Sequence, residues 1–511
     1  MWRSSVLVSL LSLVCAFVSF ANQLAIAYQF GASESIDAYL IATSVPLLFS
    51  GIAGGVFSYS TVPLLVSRRI SDPEGYPEFS GAILMAFALL AFALALFTAL
   101  VSDRIVAVLA PNLILAYRDE AILTMRISLL NFAFSTVTAY LVAVQNAEKR
   151  FLIPLFAGVL PYLGMLASVM LFAKTMSIMS LAWGMLVGYL AAIPVLYIGV
   201  AGVIRPGFRA LRTYTREIKA IFFQMPLVLL STLCFTVYGP IDSYWASRLG
   251  PANVSYLGYS QRLLIALGNL VVLGPVTVLT PYLAEQAARY QKKEFTKTLW
   301  TAIRITILLS APLALILSML RVPVIEILFQ RGTFDATATQ GVSSVLPGML
   351  FGMVAMLIVI LLLKALHSLG DIAGAAIIGA TGSTSYFILS GLFSKYMGLD
   401  GIVLAYALTW WFLIGVSLWR FINLDIRFIL PADIMKFIVQ VVIPLILTGL
   451  CVHIGQKTCI RPIVEIGLIN LTFRIGALSG STFIIFMLLA WLLRMPEIRS
   501  LLEKICEQSY S

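Results

Sequence analysis

The chain is poor in charged residues. Of its 511 residues, 11% are Asp, Glu, Lys or Arg, whereas 60% are hydrophobic. A soluble domain carries about 25% charged residues, so this composition excludes an ordinary soluble fold. It predicts an all-α, polytopic membrane protein. In the hydrocarbon core of a membrane every backbone N–H and C=O must be hydrogen-bonded within the protein, and an α-helix achieves this within one segment.

Residue types that carry enzyme chemistry are also scarce. The two histidines, His367 and His453, lie far apart, and the five cysteines have no disulfide or metal-binding spacing. Neither a Gly-x-x-x-x-Gly-Lys-Ser/Thr phosphate loop nor a Gly-x-Ser-x-Gly nucleophile motif occurs. We therefore predict a protein that is not an enzyme and that holds no metal or organic cofactor. Without an ATP site, any transport must draw on an ion gradient, the membrane potential or the substrate gradient.

Long apolar runs of about 20 residues match the thickness of a bilayer core. We interpret them as about 14 transmembrane helices, near 5–29, 36–66, 79–101, 127–146, 152–173, 177–201, 220–247, 254–284, 302–320, 343–366, 372–394, 399–420, 435–455 and 469–493. Lys and Arg concentrate on one set of alternating loops, which predicts that both termini are cytoplasmic. The formal net charge of +11 then reflects topology, and we expect no nucleic-acid partner.

The sequence contains an internal repeat. Gly31–Val66 resembles Gly250–Glu285, since each opens with Gly and a small polar turn and ends in Pro-x-Leu. Two short amphipathic segments, beginning near Arg104 and Val322, follow at a similar offset. Such repeats place a substrate site between two parallel bundles that rock against each other.

The repeat predicts four parts. They are an N-terminal six-helix lobe (1–203), a cytoplasmic basic linker (204–218), a C-terminal six-helix lobe (219–424), and helices 13–14 with a cytoplasmic tail (425–511). The linker is either the hinge-side connection of the lobes or a surface helix on anionic lipid headgroups.

Arg262 is the most informative residue, because it lies inside an apolar run. A guanidinium near mid-membrane costs about 2.5 kcal/mol or more, so it needs a polar cavity or a partner. Asp242 precedes it at comparable depth, and the pair either binds something anionic or merely neutralises itself. Asn22 and Gln23 are polar residues of the first run, and Gln23 is the repeat counterpart of Asp242. Asp37 contacts the same polar region or only complements the dipole of its helix.

Breaks are expected in the helices that approach this region. The candidate positions are one proline and five glycines: Pro240, Gly51, Gly54, Gly55, Gly268 and Gly274. Bends there would open and close a cavity, or would serve ordinary helix packing.

Three segments resemble the MurJ/MviN lipid II flippases of the multidrug/oligosaccharidyl-lipid/polysaccharide exporter superfamily. They are Phe30–Leu48, Tyr259–Leu264 and the run LFQRGTFDATAT at Leu328–Thr339. The resemblance implies a 14-helix, two-lobed flippase of the bacterial inner membrane, working by alternating access in peptidoglycan biosynthesis. Its substrate would be an undecaprenyl-pyrophosphate-linked glycan, and its last two helices would form a groove for the lipid tail. We expect a monomer whose other contacts are membrane lipids.

The resemblance also implies site residues. Arg262 and Asp37 match the family's eighth-helix arginine and second-helix acid, whereas the arginines of its first two helices fall at Ala16, Asn22 and Ser50. Arg262 would bind pyrophosphate, and Asp37, Asn22 and Gln23 would contact the headgroup. A cation site for Na+ or H+ would use Asp242, with Ser390 and Thr409 as further candidates.

Two alternatives remain open at this stage. A flippase for exopolysaccharide or O-antigen units would suit the smaller number of arginines. A cation-coupled multidrug exporter shares the superfamily.

Overall fold

The computed structural model describes residues 2–57, 61–148, 150, 152–426, 434–459, 467–493 and 495. Across them the chain forms helices α1 Trp2–Phe30, α2 Glu34–Val56, α3 Val62–Ser71, α4 Tyr76–Leu100, α5 Ser102–Leu109, α6 Leu115–Ala147, α7 Leu152–Met176, α8 Met179–Ile198, α9 Phe208–Thr213, α10 Thr215–Thr236, α11 Tyr238–Ala246, α12 Asn253–Ala288, α13 Lys292–Met319, α14 Arg321–Phe329, α15 Ala336–Ser368, α16 Ile372–Met397, α17 Leu399–Asn423, α18 Ile434–Cys459 and α19 Leu468–Leu492.

The all-α fold class is confirmed. Within the described residues, eleven helices are long and apolar enough to cross a membrane, and they coincide with eleven of the predicted runs. The other three runs are occupied by α1, by α10 with α11, and by α12. Both short amphipathic segments are helices, α5 and α14, and each precedes a helix of 33 residues.

The predicted helix breaks are only partly right. A break at Val237 separates α10 from α11, and Pro240 follows in the first turn of α11, where a missing N–H is tolerated. The glycine positions are wrong as breaks, because all five lie inside the continuous helices α2 and α12. Glycine keeps its backbone N–H and costs a helix only about 1 kcal/mol relative to alanine, so packing overrides it.

The chain divides into two compact units. Unit 1 contains residues 1–255 together with 331–335, and unit 2 contains 256–330 and 336–511. Helix α12 therefore begins in unit 1 and continues in unit 2. The two lobes, 1–203 and 219–424, remain a prediction. They are inferred from a sequence repeat, whereas the two units are defined by which residues pack together.

Helices α7 and α8 of unit 1 approach each other closely through glycines. Gly184 and Gly188 of α8 are spaced as Gly-x-x-x-Gly, and a Cβ at either would overlap the backbone of α7. Gly164 of α7 is equally tight against α8. In a membrane the hydrophobic effect does not drive helices together, so they associate through close packing. Small residues at this spacing allow that packing.

The predicted basic linker is largely helical. Ala210, Tyr214 and Ile218 form its buried stripe, and the ring of Tyr214 lies 5.2 Å from that of Phe79 in α4. Its arginines point outward, with Arg209 among the exposed residues. The segment thus packs against unit 1 with an apolar face and leaves a basic face exposed, whereas its role as a hinge or as a lipid-headgroup contact remains a prediction.

In unit 2 an ion pair joins the start of α16 to the end of α17. Arg420 donates from Nε and Nη2 to the two carboxylate oxygens of Asp371, at 2.6 and 2.8 Å. Asp371 also caps α16 by accepting from the Gly374 amide at 3.0 Å. The Arg420 guanidinium, with help from that amide, holds the pKa of the Asp371 carboxyl below its usual range.

Replacing Asp371 with asparagine is expected to cost about 1.5–3 kcal/mol at neutral pH, the usual value of a hydrogen bond to a charged group. A carboxyl whose pKa is lowered by folding stabilises the protein above its ordinary pKa of 3.8 and loses that contribution as the pH falls through the lowered value. The melting temperatures of Asp371→Asn and the parent should therefore converge only in strong acid. Asp425 is the matched control, because it forms an exposed ion pair with Lys292. The Lys292 side chain is 53% exposed and the Asp425 side chain 82%, so the pair should contribute little to stability. An Asp425→Asn variant that loses as much stability as Asp371→Asn would contradict this reading.

Candidate functional site

Arg262 lies on α12 in unit 2, about 14 Å along the helix from its first residue. Its side chain is half-buried, and the guanidinium carbon is 5.7 Å from the centre of the Tyr259 ring. Tyr259 is itself fully buried and packs on Phe329 of α14, with ring centres 5.3 Å apart. The face of an aromatic ring attracts a cation electrostatically, so the Tyr259 ring helps to hold the Arg262 side chain in place. The charge is therefore positioned by a buried aromatic pair, which two of the family-like segments supply.

Asp37 lies near the start of α2 and is only 4% exposed. Its Oδ1 accepts from the Ser255 amide at 2.7 Å and from the Ser255 hydroxyl. Ser255 is in the first turn of α12, where backbone N–H groups have no partner within the helix. The carboxylate therefore caps a second helix, a role that the sequence did not reveal because the two residues are far apart in the chain.

A small cavity of 60 Å³ adjoins Asp37 in unit 1. Glu34, Asn112 and Ser247 are among the residues that line it. Whether Asp37 also contacts a substrate remains a prediction.

Asn22 of α1 is 1% exposed, and its Nδ2 donates to the Tyr162 carbonyl of α7 at 2.7 Å. Its amide therefore joins α1 to α7, whereas its Oδ1 has no hydrogen-bond partner among the described residues. The neighbouring Gln23 is half-buried. Their contact with a headgroup remains a prediction.

The candidates for a cation site are all buried. Asp242 is on α11 in unit 1, whereas Ser390 and Thr409 are on α16 and α17 of unit 2. Both hydroxyls are fully buried and lack a hydrogen-bond partner within the described part of the chain. The cation site and the Asp242–Arg262 pair remain predictions.

The Leu328–Thr339 segment has a structural role. Its residues 331–335 belong to unit 1, where the Thr333 amide donates to the Tyr28 carbonyl at 3.0 Å. Gly332 adopts a positive φ of 63° directly against Tyr28, a conformation and a fit that other side chains would strain. The run thus secures the end of α1.

Most of the chain matches a known protein family. A sequence profile of the family described as lipid II flippase MurJ matches residues 26–467. The chain belongs to the MurJ lipid II flippase family.

Individual relatives agree with that profile. The lipid II flippase MurJ of Burkholderia cenocepacia is 27% identical over 73% of this chain and 74% of its own length. A probable lipid II flippase MurJ of Buchnera aphidicola is 25% identical, over 80% and 81%.

Solved structures give the same fold. A lipid II flippase MurJ in an inward closed conformation superposes with a TM-score of 0.77 over 97% of this chain and 100% of its own, at 19% identity. An inward-facing multidrug MATE transporter gives 0.68 over 80% and 94%, at 16% identity. At such identities the likeness shows the fold alone.

Family membership confirms several predictions. The chain is a multi-pass protein of the bacterial inner membrane, and it belongs to transporters rather than enzymes. Its substrate is lipid-linked.

Ser50 and Ala16 are two of the positions where the resemblance predicts a departure from the family. Ser50, where the sequence resemblance predicts a family arginine, donates to the Pro46 carbonyl at 3.0 Å and lies 3.3 Å from the Ser135 hydroxyl. The side chain of Ala16 lies outside the described part of the chain. Ser50 thus places an uncharged hydroxyl close to a second one, and its correspondence to a family arginine remains a prediction.

Proposed function

We propose that this chain moves lipid II, the undecaprenyl-pyrophosphate-linked sugar-peptide of peptidoglycan biosynthesis, from the inner to the outer leaflet of the cytoplasmic membrane. The match to the family profile across residues 26–467 carries this proposal. Exopolysaccharide units and drugs are less well supported, because the curated relatives quoted above are described as lipid II flippases and the exporter likeness concerns the fold.

Arg262 is the proposed pyrophosphate contact. A guanidinium offers five donors in a fixed fork that suits phosphate oxygens, and its charge cannot be removed at physiological pH. Its position beside Tyr259 leaves it half-buried in a helix of unit 2, where an anion would meet it in an environment of reduced dielectric.

The other candidates have supporting roles in this proposal. Asn22, Gln23 and Asp37 contact the headgroup. Asp242 is the proposed ligand for Na+ or H+ as the coupling ion, and Ser390 and Thr409 are further candidates. Two lobes rocking against each other would expose the substrate to one leaflet at a time. Both termini are cytoplasmic, and the protein acts as a monomer.

The test is genetic complementation. A strain depleted of its essential lipid II flippase should resume growth when this chain is expressed and present in the membrane. Growth failure despite normal membrane levels would refute the proposal. Restoration of exopolysaccharide or O-antigen export in a transport-deficient strain, without growth rescue, would favour the glycan-unit alternative.

A further inference from the structure

Unit 1 contains a partly open chamber of 410 Å³, lined by residues of α2, α3, α6, α7 and α8. This volume falls in the range of small-molecule sites, which is about 300–1,000 Å³. The polar side chains of its wall are Ser50, Ser135, Thr138, Asn146, Tyr162 and Tyr189. Among the described residues that line it, none is Asp, Glu, Lys, Arg or His.

The lining carries no charge and is mostly apolar, with the polar side chains named above set among alanine, glycine and aliphatic residues. Burying a charged group without a partner costs far more than burying a hydrogen-bonded neutral one. A pyrophosphate would therefore find no charged partner here to offset its loss of water. Uncharged groups rich in hydroxyls and amides would keep their hydrogen bonds.

Three of the hydroxyls have already used their single hydrogen. Ser50 donates to the Pro46 carbonyl at 3.0 Å, Ser135 to Phe132 at 2.8 Å, and Thr138 to Ser135 at 2.9 Å. A hydroxyl that donates to the backbone retains lone pairs, so these oxygens act as acceptors. Acceptors suit a ligand that brings O–H and N–H donors and repel ionised phosphate oxygens, which have none.

We infer that this chamber is the subsite for the uncharged sugars of the lipid-linked substrate. The inference rests on the proposed function and deepens it by naming the part of the substrate that unit 1 holds. The sugar hydroxyls and N-acetyl amides donate to the serine and threonine oxygens, and the rings of Tyr162 and Tyr189 offer apolar faces to the sugar. Ser50 contributes an acceptor where the family resemblance places an arginine.

Two glycines make the inference testable. Gly54 and Gly158 line the chamber, and a Cβ at either would meet no atom within 4 Å. A larger side chain at these positions therefore extends into open space, and leucine is the better helix former. Gly415 of α17 is the matched control, because its Cβ would also meet no atom within 4 Å and it lies outside the chamber.

The experiment compares two synthetic lipids by native mass spectrometry of the full-length protein in detergent. One is undecaprenyl pyrophosphate, and the other carries the disaccharide without the peptide. The parent should bind the sugar-bearing lipid at least about tenfold more tightly. Gly158→Leu should remove that preference and leave binding of bare undecaprenyl pyrophosphate unchanged, whereas Gly415→Leu should alter neither.

A preference that survives in both Gly158→Leu and Gly54→Leu would overturn the inference. Equal weakening of both lipids by a variant whose melting temperature is unchanged would also overturn it, because the chamber would then not distinguish sugar. If Gly158→Leu lowers the melting temperature, the binding preference of Gly54→Leu decides the outcome instead. Failure of the parent chain to rescue a flippase-depleted strain refutes the proposed function instead, and the lipid comparison still decides the role of the chamber.

Discussion

Arg262→Ala is expected to abolish rescue of a flippase-depleted strain while the protein remains in the membrane at normal levels. The variant removes the half-buried guanidinium that stands over Tyr259, so the pyrophosphate loses its charged contact. A hydrogen bond to a charged group contributes about 1.5–3 kcal/mol, which corresponds to a loss of roughly tenfold to hundredfold in binding. Growth after depletion, together with membrane abundance, measures the effect.

Arg304 supplies the matched control for this result. It also lies in a membrane helix of unit 2 and also stands over an aromatic ring, with its guanidinium carbon 4.5 Å from the centre of Phe437. Arg304→Ala should therefore retain rescue, since it loses a comparable packing contact but no proposed substrate contact. Rescue by Arg262→Ala, or equal loss in both variants, would argue against a specific phosphate role. Arg262→Lys keeps the charge without the fork and should give partial function.

Asp37→Ala is expected to give the second large effect, through loss of the cap on α12. The Ser255 amide, now paired with Asp37 at 2.7 Å, would be left without its acceptor in a buried place. An unsatisfied buried donor costs about 1–3 kcal/mol. The melting temperature should fall and rescue should be impaired, whereas Asp37→Asn retains an acceptor and should be milder.

Asp400 is the appropriate comparison for Asp37. It is also an acid in the first turn of a membrane helix, α17, but it is exposed. Asp400→Ala should lower stability only by the small dipole contribution, typically 0.3–1 kcal/mol. Equal melting temperatures for Asp37→Ala and the parent would show that the cap contributes nothing.

Much of the fold is readable from hydropathy, because a membrane leaves so few options for the backbone. Every predicted run coincides with a helix or a pair of helices. What the runs do not reveal is where a helix stops inside a run. The predicted run 36–66 contains the end of α2 at Val56 and the start of α3 at Val62, and the apolar residues on either side of this boundary hide it in the hydropathy.

The site is harder to read, because its contacts join residues far apart in the chain. The rarity of a cation in an apolar run singles out Arg262, but the sequence does not announce Tyr259 and Phe329 as its support. The pairing of Asp37 with Ser255 depends on tertiary packing, as does the chamber of unit 1. Glycines illustrate the same limit, because the five predicted helix breaks at glycine are wrong. Gly54 and Gly158 are useful for testing the chamber instead, since open space lies beside them.

The most direct test of the account is the position of lipid II itself. In cells depleted of their own flippase, lipid II should be inaccessible to a lipid II-cleaving enzyme added from outside. Expression of this chain should make it cleavable, and the Arg262→Ala variant should not. Lipid II that remains protected while the chain is abundant in the membrane would contradict the account.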